Sequence, residues 1–436
     1  MLIVLIIALL FSLEADHLDF DTAFLNSEMD GAIIYIEQPE QFDDGTGRVC
    51  LLLKGIYGLK QAARLWYQTL NAYLVELCFC RCVFDVGLYY KWIEDRIVMI
   101  TVYVDDIMII ANREDIEEVN KMLRLRFSIK DLGRVHYLLG MEVHYKPGVL
   151  LCLSQTAYID KILSRFKMDK AKSVRSPQMQ NEKVLAIEKN EDKTNDKSLK
   201  YQELIGALQY LVTCTRPNIS NAVRNLSRDA DHANCPESSR SVSGHVLQLN
   251  CHSVGFKSKM QRSVTDDTCK SELVAASTCV EDLIWARKLI KELGFEQEIG
   301  KLFIDNQSTI KVCTDAGNFD GVKRYAKKSR KLAELVERKK IDIEYVQTSE
   351  NAADMFTKAL GPQRFEKLRS ELGVEDITDT VKCRKGIIDT VKCQEKVAAK
   401  RCNSSTETQV LNTEVDVKSV LTDKRLQVDV NRDTEA

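Results

Sequence analysis

Two adjacent carboxylates stand between two strongly apolar runs. IVMITVYV (97–104) precedes Asp105-Asp106, and IMIIA (107–111) follows it. β-Branched runs on either side of a two-residue polar turn predict a β-hairpin with Asp105-Asp106 as its turn. Asp is also common in plain turns, because its side chain bonds its own backbone. Here, however, the flanking strands would hold both acids on a rigid support.

Clustered carboxylate oxygens are the ligands that Mg²⁺ prefers in proteins. Two such ions can hold the attacking and leaving oxygens of an in-line nucleotidyl transfer. A third carboxylate on a neighbouring strand would complete this kind of site, and Asp19 in HLDFDTAFLN (17–26) is the candidate. We therefore expect Asp19, Asp105 and Asp106 to be catalytic and to bind Mg²⁺ or Mn²⁺.

The elements that must position these acids can be read from periodicity. Residues 15–165 alternate short β-like runs with helical ones, and residues 201–226 predict two helices, with Pro217 near the first turn of the second. Residues 240–360 predict a small mixed sheet with packed helices. Its predicted strands are near 245–249, 301–304 and 341–346, and its predicted helices are 270–294, 327–338 and one that starts near 350.

The composition is that of an ordinary soluble protein. The 436 residues include 62 Lys+Arg and 64 Asp+Glu, so any nucleic-acid contact must come from a local patch. The 14 cysteines are scattered, which favours reduced thiols in an intracellular protein, cytoplasmic or nuclear and not secreted. Alternation would place Cys78, Cys80 and Cys82 on one face of a strand, without zinc-site spacing.

The first apolar run, LIVLIIALLF (2–11), imitates the core of a signal peptide. It lacks a basic segment before it and a small-residue cleavage site after it. It is also too short to span a bilayer as a helix. We expect a buried helix or strand and no membrane insertion. A secreted or membrane protein is the alternative that this run leaves open.

An ordered series of motifs resembles one family. The motifs are HLDFDTAFLN (17–26), IYIEQPEQF (34–42), KGIYGLKQAARLWY (54–67), DVGLYY (85–90), VYVDDIMII (102–110), LLGMEVHY (138–145), LSQTAYIDKIL (153–163), YQELIGALQYL (201–211), CTRPNISNAV (214–223) and ADMFTKAL (353–360). They resemble the reverse transcriptase and RNase H region of copia-type LTR retrotransposons, most of all plant elements. The resemblance covers about residues 12–373.

The resemblance implies an α+β fold: a truncated reverse transcriptase palm, with a ferredoxin-like sheet and helices, followed by a degenerate RNase H-like α/β domain. The implied segments are a partial fingers/palm (1–165), linker and thumb- or connection-like helices (166–228), the RNase H-like domain (229–373) and a polar, disordered tail (374–436). The implied partners are an RNA template, a DNA primer and a dNTP. The oligomeric state stays open.

Several residues gain roles from the same resemblance. Asp19, Asp105 and Asp106 match the palm aspartates that bind Mg²⁺. Phe24 matches an aromatic residue that stands against the sugar of the incoming nucleotide, with core packing as the alternative. The segment Tyr57, Gly58, Leu59 and Lys60 matches one that packs under the nucleotide, and Leu139, Gly140 and Met141 match a primer-gripping hairpin. Both segments could equally be scaffold.

The chain also departs from the family pattern. Only 18 residues precede Asp19, and none is Lys or Arg, so we expect the basic fingers to be missing. Asp229, Asp305 and Asp354 match three RNase H acids. Lys270 stands where we place the fourth, and Glu272 lies about 200° around a helix from it. We therefore expect an inactive RNase H site.

A direct fusion of LSR (226–228) to DADHA (229–233) predicts an internal deletion that can remove Asp229 from its strand. A basic cluster near 323–331 could touch phosphates or be a solvated helix face. Its members are Lys323, Arg324, Lys327, Lys328, Arg330 and Lys331.

The leading hypothesis is a reverse transcriptase segment with impaired activity. The alternative is a non-enzymatic remnant or a nucleic-acid-binding module.

Overall fold

The computed structural model describes residues 1–179, 195–230, 240–261, 268–314 and 325–376, without the side chains of 195–199 and 228–230. The chain divides into two compact units, Met1–Ala171 and Lys172–Ala436. The predicted disordered tail lies, from residue 377 onward, outside the described residues, as does the middle of the predicted linker (180–194).

Unit 1 contains four helices and eleven strands. The helices are α1 (Leu2–Leu10), α2 (Ala62–Glu76), α3 (Arg113–Arg126) and α4 (Thr156–Arg165). The strands are β1 (Glu14–Phe20), β2 (Tyr35–Glu37), β3 (Val49–Leu51), β4 (Cys80–Arg81), β5 (Leu88–Ile93), β6 (Arg96–Tyr103), β7 (Asp106–Ala111), β8 (Ile129–Arg134), β9 (Tyr137–Leu138), β10 (Met141–Lys146) and β11 (Leu150–Ser154).

A six-stranded antiparallel sheet with the order β4-β5-β6-β7-β1-β8 forms the centre of unit 1. Alternate residues of β1, β6 and β7 pack against α2 and α3 in one apolar core that includes Trp66 and Leu123. The intervening residues, such as Met99 and Ile110, are also buried. Burial on both faces explains why β6 and β7 read as continuous apolar runs rather than alternating ones.

The first apolar run forms α1, and its residues from Ile3 to Ala8 are buried. This confirms the expectation of a buried element. Within the described residues, none of the helices combines the length and apolar character that crossing a bilayer requires.

Unit 2 contains six described helices and four described strands. The helices are α5 (Asn195–Cys214), α6 (Ser220–Ala230), α7 (Thr268–Glu292), α8 (Gln307–Thr314), α9 (Ala326–Glu337) and α10 (Pro362–Glu371). The strands are β12 (Val242–Leu249), β13 (His252–Met260), β14 (Gly300–Ile304) and β15 (Ile341–Tyr345). A 3-10 turn over Pro217–Ile219 precedes α6.

The strands of unit 2 form two separate pairs instead of the single mixed sheet expected from the sequence. β12 and β13 are antiparallel, whereas β14 and β15 are parallel. Among the described residues no further strand joins β12 to β14. Periodicity located β12, β14 and β15 but missed β13, and it could not show which strands pair, because pairing depends on contacts far apart in the chain.

Two local expectations were also wrong. The helix expected near residue 350 is a 3-10 turn over Ala352–Phe356, and the next α-helix begins at Pro362. Cys82 is buried whereas Cys78 and Cys80 are exposed, and of the three only Cys80 lies in a strand, β4, so strand alternation does not apply to them. Asp229 belongs to helix α6, in agreement with the expectation that the deletion removes it from its strand, and its side chain lies outside the described residues.

Candidate active site

The hairpin between β6 and β7 carries the acidic pair, but its turn lies one residue earlier than expected. Tyr103 pairs with Asp106, so the two turn residues are Val104 and Asp105, and Asp106 opens β7. Val104 has φ +60°, the left-handed region that a β-branched residue rarely adopts. The sequence pattern did not reveal this register, because valine reads as a strand residue.

Asp19 lies beside this pair. β1 runs antiparallel to β7, and Asp19 is the direct cross-strand partner of Asp106. Directly opposed residues in such a pair have Cβ atoms about 5 Å apart. The sheet therefore brings Asp19 and Asp106 together across 87 residues of sequence, and Asp105 is the next residue along the turn.

Two hydrogen bonds hold the strained turn in place. The indole Nε1 of Trp66 in α2 donates to the carbonyl oxygen of Val104 at 2.7 Å. The backbone nitrogen of Phe20 donates to the carbonyl oxygen of Asp105 at 3.0 Å. Because both donors belong to the core of unit 1, the backbone of the turn is fixed from the helix side and from the sheet side.

The site concentrates negative charge. Burial raises the pKa of Asp19, and the neighbouring carboxylates of Asp105, Asp106 and Asp21 raise it further, while His17 opposes the shift. A carboxyl that its neighbours discourage from ionising lies where a cation would be most stabilising.

The side chains of Tyr57 and His17 contact two of the acids. The hydroxyl of Tyr57 donates to Oδ2 of Asp105 at 2.7 Å, which with partial burial raises the pKa of Tyr57 to about 12. Nε2 of His17 lies 3.0 Å from Oδ1 of Asp106. The sequence reasoning missed His17. Strand alternation could have found it, because residues 17 and 19 of one strand face the same side.

Most of the Phe24 side chain is buried. Its side chain is 9% exposed and belongs to the core of unit 1. Its ring meets that of Tyr57 edge to face at 4.4 Å between centroids. Phe24 thus supports the tyrosine that contacts Asp105, and its position beside a nucleotide sugar stays a prediction.

The segment that follows is open to solvent. Gly58 has φ +94° with no atom near the place of a Cβ, and Lys60 is exposed, whereas Leu59 packs against the core. Gly55 is constrained, since a Cβ there would lie 2.9 Å from Oγ of Ser27. The chain thus passes closely under Phe24 and then presents Tyr57 and Lys60 outward.

The predicted primer-gripping segment is a tight hairpin. Leu139 and Gly140 form the turn between β9 and β10, with φ +48° and φ +77°, as a two-residue turn of the mirror-image type requires. Met141 is buried at the start of β10. The hairpin is therefore a regular two-residue turn anchored by Met141, and its role in holding a primer stays a prediction.

The donor set of the three aspartates suits a hard divalent cation, because all three ligands are carboxylates. Within the described part of the chain, however, no three His, Cys, Asp or Glu side chains converge closely enough to hold a metal ion. The contacts of Tyr57 with Asp105 and of His17 with Asp106 hold one oxygen of each carboxylate. The chemistry of the donors fits Mg²⁺, but the three carboxylates as observed do not surround one metal position.

Comparison with known proteins agrees with this geometry. A family model described as reverse transcriptase (RNA-dependent DNA polymerase) matches residues 2–180. A transposon Ty5-1 protein of Saccharomyces cerevisiae is 34% identical over 257 residues, which cover 57% of this chain and 81% of that protein. The Pol polyprotein from transposon TNT 1-94 of Nicotiana tabacum is 28% identical over 420 residues, 85% of this chain and 32% of that protein.

This chain belongs to the reverse transcriptase family of copia-type retrotransposon Pol polyproteins. The Pol polyprotein from transposon RE1 of Arabidopsis thaliana is similar to it as well, with 29% identity over 82% of this chain and 27% of that protein. The chain thus spans about a third or less of the length of the two plant polyproteins.

A second group of acids lies in unit 2 of this reverse transcriptase family member. Glu272 and Asp354 line one cavity between α7, β12, β14 and the 3-10 turn. Burial raises the pKa of Glu272 to about 7. The nearby carboxylates of Asp305 and Asp354 raise this pKa further, whereas Lys358 lowers it. The family resemblance predicts the acid of this cavity at position 270, where Lys270 stands, but Glu272 lines the cavity instead. The helix register turns Glu272, two residues after Lys270, toward the cavity.

Asp354 is the most strongly paired of these acids. It is 4% exposed. Lys358 contacts its Oδ1 at 2.7 Å, and Arg364 donates to its Oδ2 at 2.6 Å. Asp305 follows directly after β14. Glu272 and Asp354 thus line one cavity, and Asp305 is close enough for its charge to raise the pKa of Glu272, whereas the side chain of Asp229 lies outside the described residues.

Proposed function

We propose that unit 1 performs RNA-directed DNA synthesis, copying an RNA template by extending a DNA primer with dNTPs. One observation carries the proposal: β1 and β7 pair Asp19 with Asp106, and the adjoining turn, held by Trp66, adds Asp105. Membership of the reverse transcriptase family supports the same reaction.

The residues of the site have distinct tasks. Asp19, Asp105 and Asp106 would hold Mg²⁺ or Mn²⁺, which when bound supplies positive charge to the reacting phosphate and the attacking hydroxyl. Tyr57 orients Asp105 through its 2.7 Å hydrogen bond.

The surrounding segments would bind the substrates. Gly58 and Lys60 offer backbone approach and a cation to the triphosphate. Phe24 would shape the sugar pocket by way of Tyr57. The hairpin over Leu139, Gly140 and Met141 would hold the primer end.

The test is primer extension on poly(A)/oligo(dT) with Mg²⁺ or Mn²⁺. We expect incorporation that falls by about 10²–10³-fold in Asp105→Asn, because a group that stabilises charge in the transition state is lost. The matched control is Asp95→Asn. Asp95 occupies the same place in the β5–β6 turn, after Glu94 with φ +57°, at the other end of β6. Its replacement should leave incorporation unchanged.

Two other results would reject the polymerase proposal. Template binding without incorporation would support a nucleic-acid-binding module. Equal incorporation by wild type and Asp105→Asn would show that the activity comes from elsewhere.

A second candidate function is metal-dependent hydrolysis of the RNA strand of an RNA–DNA hybrid by unit 2. The observation that favours it is the shared cavity of Glu272 and Asp354, with Asp305 close enough to raise the pKa of Glu272. This placement favours a working site over the inactive one expected from the sequence, because the acid at position 272 would stand in for the missing one at 270.

Hybrid cleavage distinguishes these possibilities. We expect cleavage that is lost in Glu272→Gln and in Asp305→Asn but kept in Lys270→Ala and in Asp105→Asn. Absence of cleavage by the wild-type chain would reject hydrolysis and restore the expectation of an inactive unit. Loss in Lys270→Ala with retention in Glu272→Gln would reject the assignment of Glu272.

A further inference from the structure

The three aspartates of unit 1 differ in how firmly the fold holds them. Asp19 lies on β1 and Asp106 opens β7, and the two are direct cross-strand partners. Asp105 belongs to the two-residue turn, whose carbonyl oxygens accept hydrogen bonds from the indole of Trp66 and from the backbone nitrogen of Phe20. Because the backbone of the turn is fixed in this way, the carboxylate of Asp105 can change its position only by rotation of its side chain.

The hydroxyl of Tyr57 opposes that rotation. It donates to Oδ2 of Asp105 at 2.7 Å. A hydrogen bond to a carboxylate is stronger than one between neutral groups, and its proton lies where a cation would approach the same oxygen. Within the part of the chain that the structure describes, no three His, Cys, Asp or Glu side chains converge closely enough to hold a metal ion. The bond to Tyr57 keeps one oxygen of Asp105 from joining such a group.

Repulsion among the carboxylates favours the same arrangement. Asp19 and Asp106 stand directly opposite each other, and like charges in that position destabilise a strand pair. Moving the carboxylate of Asp105 closer to them adds to this repulsion, whereas the hydroxyl of Tyr57 offers it a proton donor. A divalent cation reverses the preference, because it attracts all three carboxylates at once. Asp105 therefore has two arrangements, one bonded to Tyr57 and one turned toward the other two acids.

The contact made by Tyr57 can open without disturbing the core. Its side chain is 59% exposed, and it precedes Gly58, which has φ +94° and open space beside it. Its ring meets that of Phe24 edge to face at 4.4 Å between centroids. His17, in contrast, is 7% exposed and lies on β1, so its contact with Oδ1 of Asp106 is part of the packed sheet. Of these two contacts to the acids, the one from Tyr57 is the one that can be released.

We propose that Tyr57 is a latch on the acidic site of unit 1: its hydroxyl and a divalent cation compete for the carboxylate of Asp105. The inference rests on the proposed function, because it takes Asp19, Asp105 and Asp106 as the ligands of the cation. It adds a control to that site, since a bond that must open before the ligands converge weakens the binding of the cation. Removing the hydroxyl therefore strengthens cation binding, whereas removing a group that merely supports the site would weaken it.

Binding of Mn²⁺ to the full chain tests the latch. The titration contains neither nucleic acid nor dNTP, so its outcome does not depend on DNA synthesis, and unbound Mn²⁺ is followed by electron paramagnetic resonance. The test variant is Tyr57→Phe, which removes the hydroxyl and keeps the ring. The matched control is Tyr35→Phe, because Tyr35 is 61% exposed on β2 of the same unit. The binding that Asp105→Asn removes from the wild type defines the binding at the acidic site.

We expect Tyr57→Phe to bind Mn²⁺ at this site about tenfold more tightly than the wild type, which is the strength of a hydrogen bond to a charged group expressed as an affinity ratio. Tyr35→Phe should bind within about twofold of the wild type, as for an ordinary surface substitution. The gain should disappear in the double variant that combines Tyr57→Phe with Asp105→Asn. Circular dichroism checks that all variants are folded.

Three outcomes would overturn the latch. Unchanged or weaker binding in Tyr57→Phe, while Asp105→Asn removes binding from the wild type, would show that the hydroxyl does not compete with the cation, and the polymerase proposal would stand. Equal strengthening in Tyr35→Phe would show a general effect of losing a tyrosine hydroxyl. Equal binding by the wild type and Asp105→Asn would show that these acids do not hold the cation, which would reject the proposed function together with the latch.

Discussion

The two acidic groups of this chain are built in different ways. In unit 1 the acids stand on paired strands and the turn of one six-stranded sheet, with Asp19 directly opposite Asp106. In unit 2 Glu272 comes from a helix and Asp354 from a 3-10 turn, and both line one cavity, while Asp305 follows the end of β14. A continuous sheet fixes relative positions through its register, whereas separate elements fix them only through side-chain packing.

The electrostatics differ accordingly. Tyr57 and His17 hydrogen-bond two acids of unit 1, and the third, Asp19, has a pKa raised by burial and by the other two. In unit 2, burial dominates the raised pKa of Glu272, and two cations hold Asp354. The first arrangement leaves excess negative charge for a cation to balance, while the second has already balanced part of its charge internally.

The largest expected effect comes from removing Asp19, one of the three carboxylates that give unit 1 its excess negative charge. Asp19→Asn should lower primer extension by about 10²–10³-fold. It should also raise the free energy of unfolding in EDTA at pH 8, because the folded state holds this carboxylate where its ionisation is disfavoured. Urea unfolding measures the second effect. Added Mg²⁺ should stabilise the wild type but not the variant. A variant that is destabilised in EDTA would contradict the assignment of repulsion at this site.

A half-buried acid of unit 2, Glu371, tests whether burial dominates the electrostatics there. Burial raises the pKa of Glu371 to about 7, with Glu350 adding to the shift and Lys367 opposing it. An acid whose pKa is raised on folding binds its proton more tightly in the folded state, so its contribution to stability falls as pH rises from about 4.5 to 7.

Glu371→Gln should therefore gain about 2–3 kcal/mol over wild type between pH 5 and pH 8 in urea unfolding. The exposed Glu296→Gln is the control and should show no such gain. A gain that is the same at both pH values would mean that the ionisation of Glu371 is not its cause.

The next effect concerns the support of the turn in unit 1. Trp66→Phe removes the donor to the carbonyl oxygen of Val104 and leaves that oxygen unpaired, at a cost of about 2 kcal/mol in unfolding free energy. Trp92, which is 41% exposed, offers the control Trp92→Phe with a cost below about 0.5 kcal/mol. Equal costs measured by circular dichroism in urea would show that the hydrogen bond does not support the turn.

The smallest expected effect separates strain from function in two similar turns. Val104→Gly and Glu94→Gly each relieve a positive φ, at +60° and +57°, and should each stabilise unit 1 by about 0.5–1 kcal/mol. Only Val104→Gly should lower primer extension, because only that turn carries an acid of the site. If both variants lowered extension equally, the strained turn would have no special link to the acids.

The sequence alone was sufficient to indicate the family and to select the three acids of unit 1 as candidates. Adjacent aspartates between apolar runs predicted the hairpin, and the need for a third carboxylate on a neighbouring strand led to Asp19. The match to the reverse transcriptase family confirms the resemblance that the ordered motifs indicated. These signals are local, so each can be read in a short window.

Tertiary structure decided what depends on register and on distant contacts. It moved the turn to Val104-Asp105, turned Glu272 toward Asp354 and joined His17 to Asp106. It also separated the strands of unit 2 into two pairs. Residues far apart in sequence meet only when strands pair and helices pack, and a shift of one residue in a strand, or two in a helix, changes which side chain faces the site.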